Sequence, residues 1–264
     1  MTTSEPMRSG HGVLAVARGA RGSVVTRAVA RSPLQLLVPR NHGHAVWAFL
    51  SSHGGGLVDG DEVAFRVEVD AGAAAMLTTQ ASTKVYRSPR GCRQSVTASV
   101  GDGGLLLVLP DPVVCFAGAR LEQSIAIDLG EGASVVLVDA TTAGRVAHGE
   151  RWAFARYRSV LSVGRGEREL VRDAIELDPR HGALAARLGR FDAIATVIAV
   201  GPQAASLLGD VIRNDCFVGV SSPIPEGVLV RAAATSTEEL QRGLRILLGG
   251  IASLLGDDPF ARKW

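Results

Sequence analysis

The feature that most constrains the fold is a turn that recurs about every 30 residues. Four segments align on a glycine, at Gly72, Gly103, Gly132 and Gly166. Each has apolar residues five and three positions before the glycine, and a further apolar or mixed stretch after the turn. Glycine suits such turns because it adopts positive φ without strain. A recurrence of this length is typical of stacked β structure, in which each unit buries a face against the next.

Most of the chain up to about residue 200 alternates apolar and polar side chains with period two. Residues 62–69 put charges on one face and apolar side chains on the other, namely Val63, Phe65, Val67 and Val69. This pattern indicates a half-buried antiparallel strand. Residues 124–129 and 157–163 alternate in the same way. We therefore predict a mainly β fold: a layered, solenoid-like, antiparallel or mixed β-sandwich of repeated hairpins.

Helices are expected only near the C-terminus. Residues 202–212 predict a short helix, and Ser236 with Glu239 forms a capping box that begins a second one. Through residues 236–255 the apolar side chains follow one another at steps of four and three, at Leu240, Leu244, Leu247, Ile251 and Leu254. We predict a single domain over residues 1–264, with a β body at about 10–200 and a small helix-containing part at about 201–264.

Composition excludes several classes of protein. The 28 basic and 26 acidic residues nearly cancel to a net charge of +2, which argues against a nucleic-acid-binding protein. No run of about 18 apolar residues is present, so we expect no membrane span, and no signal peptide is evident. Cys92, Cys115 and Cys216 are widely separated, which favours a reducing compartment over disulfides or structural zinc. The expectation is a cytoplasmic protein.

The sequence contains no recognisable catalytic motif. In the glycine run of residues 53–61, Gly60 is followed by Asp61, where a phosphate loop needs lysine and a hydroxyl. We therefore interpret this run as a strand-to-strand loop that needs positive φ. The chain has no Gly-x-Ser-x-Gly, and Cys115 lies in an apolar run, where burial would raise the pKa of its thiol. The prediction is a protein that is not an enzyme.

Two alternatives remain open at this point. His42 and His44 would share one face of a strand, and with His53 they could bind nickel or zinc in a metal-dependent enzyme. A β-solenoid module that binds carbohydrate is the other alternative, although only 5% of the residues are aromatic and could stack on sugars.

An unusual density of polar side chains marks residues 76–88. We place them in one strand-like segment after a hairpin: Thr78, Thr79, Gln80, Ser82, Thr83, Lys84, Tyr86 and Arg87. Such a row fits a sheet with threonine ladders, and it fits equally well a hydrogen-bonding surface for a protein partner.

Residues 55–61 followed by residues 77–88 resemble the signature of the UreD (UreH) family of urease accessory proteins. Residues 109–118 are similar to that family's proline-containing strand and turn, and residues 144–150 to its Gly-Arg…Gly-Glu motif. The ending at residues 259–264 is similar as well, and the resemblance runs in order from about residue 10 to the C-terminus.

The resemblance implies a non-catalytic scaffold that joins UreF and UreG on apo-urease and assists nickel insertion, with UreG hydrolysing GTP. Nickel would be bound only transiently, and no cofactor stably. The residues of the family motif, expected to bind partners, are Gly55, Gly56, Gly60, Asp61, Thr78, Thr79, Thr83, Lys84, Tyr86, Arg87, Gly144, Arg145, Gly149 and Glu150.

The family is also associated with an internal passage for nickel. Carboxylates along such a passage would favour a hydrated divalent cation without trapping it. Four residues in or beside the motif segments are candidates for this role: Asp61, Glu68, Asp139 and Glu150. The competing interpretation is that Glu68 and Asp139 merely solvate a face of a sheet.

Overall fold

A computed structural model describes residues 9–40, 43–204, 208, 211 and 213–261, and in this part of the chain two β-sheets face each other. The strands of the first sheet are β1 (Ser9–Gly19), β2 (Gly22–Ala30), β5 (Glu62–Val69), β8 (Cys92–Val100), β11 (Arg120–Leu129), β13 (Arg156–Arg165) and β14 (Arg168–Leu177). Their spatial order is β14-β13-β11-β8-β5-β1-β2.

The second sheet contains the remaining described strands. They are β3 (Leu34–Leu37), β4 (Val46–Ser52), β6 (Ala74–Thr79), β7 (Lys84–Val85), β9 (Leu105–Leu109), β10 (Val113–Cys115), β12 (Ser134–Thr142), β15 (Ala193–Val200), β16 (Phe217–Ile224) and β17 (Gly227–Ala234). The main order is β16-β17-β15-β12-β9-β6-β4-β3, and the short β10 pairs with β12 and β7 at one end.

Three of the four recurring glycine turns connect the two sheets. β5 and β6 flank Gly72, β8 and β9 flank Gly103, and β11 and β12 flank Gly132, and each pair is divided between the sheets. Neighbouring strands within a sheet therefore come from successive units and run parallel, as β5 does with β8. The predicted hairpins, and the predicted antiparallel pairing of residues 62–69, are wrong here. Only the Gly166 turn joins an antiparallel hairpin, between β13 and β14.

The physical reason lies in the second strand of each unit. β9 reads Leu-Leu-Leu-Val-Leu and is buried on both faces, so it cannot lie in a sheet that has one face in water. It enters the second sheet, which is covered by the first sheet on one side and by helices on the other. The mainly β class with mixed sheets is confirmed, whereas a solenoid is not.

Helices cover the outer face of the second sheet. They are α2 (Thr237–Leu247) and α3 (Ile251–Leu255), while a third, α1 (Leu184–Leu188), lies at the end of the sandwich and was not predicted. The Ser236 hydroxyl accepts the Glu239 backbone N–H at 3.2 Å, which confirms the Ser236 half of the predicted capping box, while the Glu239 carboxylate accepts Arg242 Nη1–H at 2.6 Å. The predicted uninterrupted helix over residues 236–255 is wrong, because the chain leaves the helix between α2 and α3, where Gly249 and Gly250 lie.

Two further expectations concern the helices of the chain. The helix predicted at residues 202–212 falls largely outside the described residues, and residues 202–204 form a turn. None of the described helices is long and apolar enough to cross a membrane.

Gly243 in α2 gives a test of how closely this helix packs on the sheet. Replacing a mid-helix glycine by alanine ordinarily stabilises a helix by about 1 kcal/mol. A Cβ at Gly243 would lie 2.2 Å from Cε2 of the buried Phe217 ring, so we expect Gly243→Ala to lower the free energy of unfolding by about 1–3 kcal/mol instead. Urea titration measures this difference.

Gly249→Ala is the control for a glycine without a close neighbour, because Gly249 lies in the exposed turn after α2 and the nearest atom to its Cβ would be 3.4 Å away. A Gly243→Ala variant as stable as the wild-type chain, or more stable, would contradict the close packing of α2 on Phe217.

Candidate functional site

The glycine-rich loop and residues 84–88 are held together by backbone hydrogen bonds. Leu57 N–H donates to the Lys84 carbonyl at 2.8 Å, and Tyr86 N–H donates to the Leu57 carbonyl at 2.9 Å. A Cβ at Gly56 would lie 2.5 Å from the Lys84 oxygen, so only glycine permits this approach. Gly60 has φ +86°. These contacts confirm a strand-to-strand loop at residues 53–61.

Residues 76–88 do not form one strand, which corrects the sequence interpretation. β6 ends at Thr79, the chain bends, and Lys84 begins the two-residue β7. β7 pairs in parallel with β10, and β10 pairs in turn with β12. The polar residues are thereby divided between the interior of the sandwich and its surface.

A charged cluster holds the Gly-Arg…Gly-Glu segment against this end of the sandwich. The Glu150 carboxylate accepts Arg145 Nε–H at 2.9 Å and the Ala117 backbone N–H at 3.1 Å. The Arg145 guanidinium lies 4.2 Å over the Phe116 ring, which packs edge-to-face on Tyr86 at 5.1 Å. The hydrogen bonds from Arg145 and then Ala117 hold the pKa of Glu150 below its usual value.

Gly144 permits the close approach that this cluster needs. It has φ +99°, and a Cβ there would lie 2.8 Å from the Cys115 carbonyl oxygen. Gly149 ends a short 3-10 helix (Val146–His148) at φ +77°. The two glycines of this motif are therefore explained by backbone geometry.

A cavity of about 210 Å³ lies between the sheets beside the glycine-rich loop. Exposed Gly55 and Lys84 line its outer end, and buried Gln123 and Asp139 line its inner end. The polar side chains in its wall are those of Ser51, Ser52, Thr78, Thr79, Ser82, Thr83, Lys84, Gln94, Ser95, Asp111, Gln123, Ser124 and Asp139.

A hydrogen-bonded row crosses the inner end of the cavity. Gln94 Nε2 donates to Gln123 Oε1 at 2.6 Å, and Gln123 Nε2 donates to Asp139 Oδ1 at 2.5 Å. Gln123 also contacts the hydroxyls of Tyr157 and Ser159, at 2.9 and 3.0 Å. We refer to these five residues as the buried polar row. Burial raises the pKa of Asp139, although the hydrogen bonds from its neighbours oppose this.

The four carboxylates predicted to line a nickel passage are not brought together. Asp139 lines the cavity. Asp61 is buried below the glycine-rich loop, where it accepts the Val58 N–H at 2.9 Å, and Glu150 belongs to the charged cluster. Glu68 lies on the outer face of the first sheet, 3.6 Å from Arg66.

The predicted motif residues divide into two groups. Those that line the cavity are Gly55, Thr78, Thr79, Thr83 and Lys84. Those that hold the surrounding loops or lie on the surface are Gly56, Gly60, Asp61, Tyr86, Arg87, Gly144, Arg145, Gly149 and Glu150.

Sequence reasoning missed most of the buried polar row. One signal was present, because Gln123 occupies the apolar side of the alternation that continues with Ile125, Ile127 and Leu129. A polar residue at such a position needs a buried partner. Its partners come from strands far away in sequence, so their identity could not be predicted.

The proposed histidine site receives no support from the described residues. His42 lies outside them, and His53 Nδ1 is 3.1 Å from Gln35 Nε2. Among the described residues no group of three or more His, Cys, Asp or Glu side chains could hold a metal ion. Burial raises the pKa of the Cys115 thiol, as predicted.

The Glu150–Arg145 pair predicts a pH dependence of stability. A carboxylate whose pKa is lower in the folded chain stabilises the fold above its ordinary pKa of 4.5, and that contribution is lost as pH falls through the folded value. We expect Glu150→Gln to lower the free energy of unfolding at about pH 7 and to reduce its decline towards about pH 3.

Urea titrations across this pH range measure both effects. The control is Glu131→Gln, in the exposed turn before Gly132. A Glu150→Gln variant that keeps the wild-type pH slope would show that the pair contributes nothing to stability.

Comparisons with known proteins agree on one family. The family model described as "UreD urease accessory protein" matches residues 8–264. "Urease accessory protein UreD" of Sorangium cellulosum (strain So ce56) is 53% identical, over 97% of this chain and 85% of the relative. The protein of the same name from Anaeromyxobacter sp. (strain Fw109-5) is 43% identical, over 97% and 90%. "Urease accessory protein D" of Arabidopsis thaliana is 31% identical, over 90% and 95%. The chain belongs to the UreD family of urease accessory proteins.

Proposed function

We propose that this chain is a urease-maturation scaffold that binds apo-urease together with UreF and UreG and conducts nickel towards the urease active site. The observation that supports the proposal most directly is the cavity between the sheets. Its outer end is built from the glycine-rich loop and residues 78–84, the same segments that carry the resemblance to the family.

The polar part of the cavity wall suits a hydrated divalent cation in transit, although the larger part of the wall is apolar and the Lys84 ammonium lies at its outer end. The other polar groups are hydroxyls and amides, with the carboxylates of Asp111 and Asp139. Oxygen donors of this kind bind hard cations, and a sparse set of them holds an ion less tightly than a closed shell. Nickel is the cargo in this proposal and not a resident cofactor.

The loops around the cavity mouth provide the partner-binding surface in the proposal. Lys84 and Arg87 are exposed there, while the Arg145–Glu150 pair and Gly144 keep the loops in place. Exposed basic side chains on a rigid support can bind carboxylates of a partner with little loss of conformational entropy. In this proposal UreG hydrolyses GTP, and this chain works in the cytoplasm.

The two alternative functions considered from the sequence have no support. The chain is an accessory protein and not an enzyme, because it belongs to a family of urease accessory proteins and its relatives carry that name. A metal-dependent enzyme built on His42, His44 and His53 therefore has no support, and neither has a carbohydrate-binding β-solenoid.

Asp139→Asn tests the passage without changing the shape of the side chain. We expect the variant to remain folded and to assemble with UreF, UreG and apo-urease, because asparagine is nearly isosteric with the buried carboxyl group. Loss of the carboxylate should reduce nickel incorporated into urease by roughly tenfold or more. Nickel content of the purified urease and its activity measure the effect.

Glu68→Gln is the matched control, since it removes one carboxylate from the outer face of the same domain. Wild-type nickel loading by a folded and assembled Asp139→Asn variant would rule out the route through this cavity.

A further inference from the structure

The edges of the two sheets differ in how they are protected against pairing with another chain. An unpaired edge is ordinarily blocked by charges, by proline or by being short. β14 carries Arg168, Glu169, Arg172, Asp173 and Glu176. β16 contains Pro223, and β3 is four residues long. These three edges therefore carry recognised protection.

β2 has less of this protection, although its pairing with β1 contains a bulge beside Thr26 and its Ser23 N–H already donates to the His44 carbonyl at 2.7 Å. It is nine residues long, contains no proline and has a single charged residue, Arg27. None of its nine residues is buried, and in the described part of the chain β1 is the strand that pairs with it. Val24 and Val29 are 50% and 42% exposed, so a strand added at this edge would find apolar side chains beside it.

The hydrogen-bonding groups of β2 alternate between β1 and the outside. The Arg31 N–H donates to the His11 carbonyl at 2.8 Å, and the register pairs Val29 with Val13. Because the backbone groups of an antiparallel strand alternate in direction, the N–H groups of Ala28 and Ala30 face away from β1. They are available to a further strand.

The charge around β2 indicates the chemistry of that strand. Between Ser9 and Val58 the sequence has no aspartate or glutamate, and its arginines are Arg18, Arg21, Arg27, Arg31 and Arg40. In the described residues no carboxylate forms an ion pair with Arg21, Arg27 or Arg31. A second copy of this chain would bring like charges together, whereas an acidic segment would be attracted.

We propose that β2 is a docking edge that an extended, acidic segment of apo-urease joins as an added strand. The inference rests on the proposed function, which supplies urease as the partner. Backbone hydrogen bonds would provide affinity, and Arg27 with its neighbouring arginines would select an acidic segment. β2 and β14 are the two opposite edge strands of the first sheet.

The test uses the full chain and measures its affinity for apo-urease and, separately, for UreF. Ala28→Pro removes one outward N–H and leaves the ladder to β1 intact, and Arg27→Glu reverses the charge of the edge. We expect each variant to weaken binding to apo-urease by about tenfold or more, with binding to UreF unchanged. Arg172→Glu on β14 is the matched control and should change neither affinity.

Four results would overturn the inference. Unchanged affinity for apo-urease in both variants would show that β2 is not the docking edge. Weaker binding in Ala28→Pro alone would show that the added strand is not acidic. Sedimentation of the wild-type chain as a dimer that Ala28→Pro dissociates would identify a second copy as the occupant. Failure of the wild-type chain to bind apo-urease at all would overturn the proposed function as well.

Discussion

The in-register stacking of successive strand–turn–strand units is the constraint on which the rest of the structure depends. Three successive units cross from the first sheet to the second at a glycine, and their strands lie against one another in parallel. Gln94, Gln123 and Ser159 consequently occupy neighbouring positions on three adjacent strands. A shift of one residue in any of these pairings would exchange the buried and exposed faces of that strand.

This register makes the buried polar row possible. Polar side chains between two sheets are tolerated only where their hydrogen bonds are satisfied, and here Gln123 links the first sheet to Asp139 in the second. The row closes the inner end of the cavity, while the glycine-rich loop and β7 form the outer end. The proposed passage for a cation rests on this buried polar row and on the well-anchored mouth of the cavity, and among the described residues no cluster of metal ligands interrupts it.

Sequence patterns predicted some elements well. Period-two alternation located β5, β11 and β13, and the Ser236 cap located the start of α2, because both depend on neighbours within a few residues. The pattern did not show that the glycine turns pass between sheets, since a turn glycine with positive φ is compatible with a hairpin and with a crossing alike. The motif residues of the candidate site were identified from the sequence. Which of them line the cavity and which hold the surrounding loops was not predicted.

The amino-acid sequence by itself determined the mainly β class, the location of the glycine loops and the membership of a family. It could do so because alternation, turn chemistry and motifs are local properties of the chain. Only the tertiary structure decided which strands became neighbours, and with that the partners of Gln123, the separation of Glu68 from Asp139 and the exposure of β2. These outcomes depend on contacts between residues far apart in sequence, which form only when the two sheets close on each other.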